Sequence, residues 1–118
     1  MKLRPLLAAL VARARRALGR RLLRRQAVVS SVFDVPDRTP PLRAYVVASS
    51  DRPPQWVAFD CPCRRGHRIL LNLSKSRSPR WELQWGRGDL LTIRPSVDAT
   101  SEFGRCHFWC LNGRIRWV

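Results

Sequence analysis

The placement of the cysteines constrains this chain more than any other feature. All four fall into two short clusters, Cys61-Pro62-Cys63 and, well downstream, Cys106-His107 with Cys110 close behind. A fold must either bring the clusters together or bury them apart. Clusters that meet make a metal site, a disulfide or a reactive centre. Thiolates and imidazole are the usual zinc donors, and a structural zinc takes four of them in a tetrahedron. CxC plus CHxxC offers enough ligands, although the familiar CxxC knuckle spacing is absent.

Strand geometry narrows that set. If residues 106–111 are extended, successive side chains face opposite ways, so Cys106 and Cys110 share a face and His107 takes the other. A four-thiolate site of Cys61, Cys63, Cys106 and Cys110, holding a structural zinc, therefore has better geometry than one that uses His107. Weighed evenly against it is the ordinary alternative that Cys106 and Cys110 are buried apolar residues, as free cysteines often are. His107, detached from the thiols, is free to act as a base. Ser96 follows Pro95 at the expected end of a strand, where a hydroxyl is exposed as the chain leaves for a loop. A nucleophilic serine needs a histidine within hydrogen-bond reach and an oxyanion stabiliser. One serine and one histidine carry little weight alone, and from the residues a plain loop serine is favoured. Asp98 or Asp60 could orient the imidazole, with nothing local to choose between them. His67, opening an apolar strand, reads as structural.

At 118 residues the chain makes one domain with an appendage, small enough that a metal staple would help it. Its net charge of +15 is unevenly spread. Residues 1–25 carry nine basic residues and no acid, whereas the rest carries fourteen basic and eight acidic, 14 − 8 = +6. Lys2 and Lys75 are the only lysines, so the cations are chiefly arginine, suited to bidentate contact with carboxylate or phosphate. Arginines interrupt every apolar stretch before the ~18 residues of a membrane span. Arg13, Arg15 and Arg16 stand where a leader peptide would need small residues. A soluble, cytoplasmic protein with reduced thiols is the expectation.

Leu3, Leu6, Leu7, Leu10, Val11, Ala14, Ala17, Leu18 and Leu22 recur at helical steps with Pro5 in the first turn. Arg13, Arg16, Arg20 and Arg24 take the other face. Residues 1–26 are thus expected to form a basic amphipathic helix, its leucines packed on the body or, as the next choice, laid on an anionic membrane surface through residues 2–25. Nucleic acid is disfavoured, because no second helix follows at helix-turn-helix spacing. Residues 27–118 read as a β-rich domain, a compact antiparallel sheet or small barrel. Strands are expected near 27–35, 42–48, 55–60, 68–73, 80–85 and 90–94, then 106–111 and 114–118 around the Asn112-Gly113 hairpin signal. The 68–73 strand is nearly all apolar and is expected to be buried on both sides. Trp81, Leu83 and Trp85 alternate onto one face as core. Trp109 and Trp117 are placed to pair across the terminal hairpin.

Taken in order, Cys61-Pro62-Cys63, Gly66, Leu71-Asn72-Leu73, Pro79-Arg80-Trp81, Arg94-Pro95-Ser96-Val97, His107-Phe108-Trp109 and Gly113-Arg114-Ile115-Arg116-Trp117 resemble a bacterial domain family of initially unknown function. Its members occur in operons that also encode ubiquitin-like proteins with E1-like and E2-like enzymes. The resemblance covers residues 56–118. It implies a deconjugating or processing peptidase, with Ser96 as nucleophile and His107 as base, and with the ubiquitin-like protein and its E1-like and E2-like enzymes as partners. The family pattern has further cysteines where this chain has Arg65 and Gly104, so Cys106 and Cys110 would have to substitute if a metal is held. The competing expectation is a non-catalytic module, stabilised by metal or core, that binds the ubiquitin-like protein or its enzymes.

Overall fold

The computed structural model describes residues 5–11 and 21–118. Residues 5–11 are helical, with Leu6, Leu7, Leu10 and Val11 all exposed. The other positions of the expected amphipathic helix, Leu3, Arg13, Ala14, Arg16, Ala17, Leu18 and Arg20, lie outside the described residues. The helical period runs past the helix itself, since Leu22 is in a bend and Arg24 opens the first strand.

Among the described residues, eight strands form two sheets of four, and no barrel closes. The first sheet has the order β1 (Arg24–Val29), β2 (Arg43–Val47), β3 (Trp56–Asp60), β4 (Arg68–Asn72). β1 and β2 are parallel and the other pairs antiparallel. The second sheet, β5 (Glu82–Trp85), β6 (Leu91–Ser101), β7 (Gly104–Leu111) and β8 (Arg114–Trp117), is antiparallel throughout.

Period-two alternation builds the core. Val46, Val57, Phe59, Ile69 and Leu71 from the first sheet meet Leu91, Ile93, Val97, Phe108 and Cys110 from the second. Phe59 and Phe108 stand edge to face, with ring centroids 6.5 Å apart, a favoured aromatic geometry. A smaller cluster of Val35, Val47 and Ala58 covers part of the outer face of the first sheet. β4 is buried on one face only: Ile69 and Leu71 point inward while Leu70 is half exposed, because the second sheet covers a single side. Trp81 and Leu83 pack on the core as expected. Trp85 instead lies exposed under Arg25, whose guanidinium sits 4.8 Å from its ring.

Leu23 stitches the two sheets. Fully buried, it donates its N–H to the Gly113 carbonyl at 2.8 Å and accepts from the Leu91 N–H at 3.2 Å. The β7–β8 hairpin turns on Asn112 and Gly113, both with positive φ (48° and 79°), as a two-residue turn of this hand requires. Across it Trp117 opposes Phe108, at 5.3 Å edge to face, and Trp109 opposes Arg116. The two tryptophans therefore do not pair.

Candidate active site and thiol cluster

Ser96 does not stand at a strand exit. β6 continues through it to Ser101, but with a large bulge: Ile93 faces Cys110 and Val97 faces Phe108, so Arg94, Pro95 and Ser96 together oppose the single residue Trp109. Bulges of this kind re-aim side chains. Here the Ser96 side chain reaches back along β7, where its Oγ lies 2.9 Å from His107 Nε2. The Ser96 backbone is fixed in turn by the Trp81 indole, whose Nε1–H donates to the Ser96 carbonyl at 3.2 Å. The Ser96 hydroxyl and the His107 imidazole are within proton-transfer reach of each other and partly buried, on the outer face of the second sheet.

Asp98 is the cross-strand partner of His107. Its carboxylate oxygens accept from Arg105 Nε at 2.8 Å and a terminal Arg105 nitrogen at 2.6 Å. Those hydrogen bonds first, then the charges of Arg105 and His107, hold Asp98 below the usual carboxylate range. The Asp98 oxygens thus serve Arg105, while its charge faces His107 across the strand pair. Asp60 is committed elsewhere: it accepts from Arg68 and from the Thr39 N–H.

The two cysteine clusters do meet. Cys61, Cys63, His67 and Cys106 place their ligand atoms within 4.8 Å of one another, so this group could hold a metal ion. Cys63 Sγ and Cys106 Sγ lie 3.1 and 3.5 Å from His67 Nε2. The tight β3–β4 connection makes this convergence possible. Gly66 takes φ +90°, open to glycine and strained for other residues, and turns His67 back under the sulfurs. All four cysteines are free thiols. Burial pushes Cys61 up to about 12. Burial also opposes ionisation of Cys63, but the Arg65 N–H, hydrogen bonds from Cys61 and Cys106 and the Arg65 charge outweigh it and hold Cys63 below its ordinary value. Cys106 is raised, by burial first and then by Cys63.

Cys110, expected as the fourth thiolate, lies apart from this group. It is fully buried in the core with its Sγ 3.4 Å from the Leu91 carbonyl, and burial raises it to about 12. His67 stands with the three other sulfurs instead. The sequence held a signal for it: Cys63 and His67 are four positions apart, within the ligand spacing of zinc-binding loops. His107 faces away from the thiols, as strand alternation requires.

A mainly β, two-sheet protein with a hydrogen-bonded serine and histidine on one outer face has the pairing that serine hydrolases use to activate a nucleophile. The chain belongs to the bacterial ubiquitination-like system serine protease family (BubE), whose sequence model matches residues 31–118. No curated protein and no solved structure gives a significant match to the chain. Among the described residues, no helix is long and apolar enough to cross a membrane.

Proposed function

We propose that this protein is a serine-dependent peptidase that processes or deconjugates a bacterial ubiquitin-like protein, acting alongside E1-like and E2-like enzymes. The observation that carries the reading is the 2.9 Å contact between Ser96 Oγ and His107 Nε2; the family's name supports both the serine chemistry and the ubiquitination-like setting. In the productive tautomer His107 Nε2 is unprotonated and accepts the Ser96 proton as Oγ attacks the carbonyl at the substrate's C-terminal junction. The imidazolium so formed faces Asp98 across the strand pair and is stabilised by its charge. His107 then returns the proton to the leaving amine. Water, deprotonated by the same nitrogen, then attacks the acyl carbon, and His107 returns that proton to Ser96 Oγ as the ester bond breaks and the carboxylate leaves.

Cys61, Cys63, His67 and Cys106 suit a structural zinc. A tetrahedral ion with Zn–S near 2.3 Å and Zn–N near 2.0–2.1 Å sets its donors roughly 3.5–3.8 Å apart; the donor atoms here all lie within 4.8 Å of one another, so a small inward shift would bring them to that spacing. Zinc bound there would clip the β3–β4 connection to β7. Cysteines that serve as metal ligands rather than in disulfides suit the reducing cytoplasm.

The test is cleavage of a ubiquitin-like fusion by the purified protein. Ser96→Ala and His107→Ala are each expected to lower kcat by at least about a thousand-fold with little change in melting temperature, the scale on which paired nucleophile and base act. Undiminished cleavage by Ser96→Ala sinks the proposal.

A further inference from the structure

β7 carries a row of side chains on its outer face. Strand alternation sends Cys106, Phe108 and Cys110 into the core and leaves His107, Trp109 and Leu111 pointing the other way. Trp109 and Leu111 are large apolar residues left 41% and 43% exposed, immediately beyond the base. They floor a cleft of about 540 Å³ whose other walls are Arg80, Glu82, Arg94 and Pro95. Ser96 and His107 do not line the cleft themselves, but each is next to it: Pro95 immediately precedes Ser96, and Trp109 follows His107 on the same face of β7.

Its charge is unbalanced. Glu82 pairs with Arg80 at 3.4 Å. Arg94 opposes Glu82 in register, yet no carboxylate lies within ion-pair distance of it among the described residues. Two guanidiniums and one carboxylate leave the cleft net positive above an aromatic floor. The bulge sets Arg94 opposite Trp109, so one segment of ligand would meet a cation and an indole face together.

The repeat of the strand gives the cleft a length scale. Side chains on one face recur every ~6.7 Å, two residues at about 3.3 Å each. A peptide lying extended along the row therefore meets Trp109 about two residues, and Leu111 about four residues, from the bond held at Ser96. A deconjugating enzyme meets many leaving groups but a single acyl donor. A built, selective cleft serves the constant half.

We propose that this cleft is the acyl-side recognition site: it binds the extended C-terminal tail of the ubiquitin-like protein, selecting a tail with an acidic residue beside an apolar one within the last few positions before the scissile bond. Trp109 and Arg94 are its specificity-determining residues. The inference rests on the peptidase reading, and the experiment separates the two.

Binding is measured on full-length Ser96→Ala protein by fluorescence anisotropy, which needs no catalysis. The probes are fluorescein-labelled octapeptides with a free C-terminal carboxylate, carrying Leu at the second and either Glu or Lys at the third position from that end. The Glu peptide is expected to bind about ten-fold tighter than the Lys peptide, the scale of one charge-assisted Arg–carboxylate contact. Arg94→Glu should reverse that preference, and Trp109→Ala should weaken both peptides about ten-fold. Equal binding of the two peptides, or a preference that Arg94→Glu leaves intact, overturns the proposal. Labelling of Ser96 in otherwise native protein by a fluorophosphonate reports the nucleophile alone. Labelling of the protein with Arg94 intact, together with a charge preference that Arg94→Glu reverses, supports recognition by the cleft. Failure of labelling counts against the peptidase reading and leaves the peptide comparison to decide the cleft.

Discussion

Ser96 and Cys106 show how much one residue's direction decides. Alternation along 106–111 separates His107 from the Cys106 thiol on sequence alone, whereas Ser96, expected where a strand gives way to a loop, lies inside β6. What alternation could not show was the bulge at Arg94-Pro95-Ser96, which depends on how β6 registers against β7. Nor could it show that Cys110, on the same face as Cys106, points into the core between the sheets while Cys106 reaches the β3–β4 loop. Arg65 and Gly104, which stand where the resembling family has cysteines, are close together: the Arg65 guanidinium donates to the Phe103 carbonyl beside Gly104. The donors present, His67 and Cys106, each lie two positions further along. The two cysteines of β7 should therefore separate cleanly. Cys106→Ala is expected to abolish stoichiometric zinc, measured by elemental analysis. Cys110→Ala should keep it, losing about 1 kcal/mol of stability through the core vacancy. Loss of zinc in Cys110→Ala as well as in Cys106→Ala would restore the four-thiolate set, and retention in Cys106→Ala would remove Cys106 from the donors.

At the scale of elements, the hairpin of β7 and β8 carries more than its own turn. Gly113 has φ +79°, and a Cβ there would lie 2.8 Å from a Leu90 methyl, 2.9 Å from the Leu23 carbonyl oxygen and 3.0 Å from Leu22 Cβ. The same residue's carbonyl accepts the Leu23 N–H, and its N–H donates to Leu91 at 2.6 Å. Gly113→Ala combines left-handed strain with a clash against backbone, and is expected to cost about 2–3 kcal/mol in denaturant unfolding. Asn112→Gly, which relaxes a positive φ in the same turn, should leave stability nearly unchanged. Equal tolerance of both would mean that Leu23 is not held by this turn. Asn112-Gly113 was legible because its chemistry is local, and so were most strand positions. The parallel pairing of β1 with β2 was not, since it depends on a crossover whose Pro-rich residues carry no period. Trp85 was misread as core because a four-residue edge strand has alternation whether or not anything covers the face.

The molecule as a whole is two sheets held by a shared apolar core and by few specific links between them. One link is Leu23 with Gly113 and Leu91; another is Arg25, which pairs with Asp89 at 2.7 Å and lies over Trp85. The thiol cluster is a third, because Cys61, Cys63 and His67 flank the β3–β4 turn of the first sheet while Cys106 belongs to the second. Cys106 and His107 are consecutive on β7, facing opposite sides of it, so a metal held on the inner side would anchor the strand that presents the proposed base on the outer side. A ligand present at a thousand times its dissociation constant adds about 4 kcal/mol, which in a domain of this size is on the order of 10 °C in melting temperature. Chelation of zinc-loaded protein is therefore expected to lower the melting temperature by that order and to slow fluorophosphonate labelling of Ser96, with both effects reversed on adding zinc. Cys63→Ala, lacking a donor, should start from the lower melting temperature and ignore the chelator. If chelation lowers the melting temperature but labelling at a temperature where the protein stays folded is unchanged, the cluster holds the sheets together without positioning His107. If neither changes in protein shown to carry zinc, the ion is not the clip between the sheets.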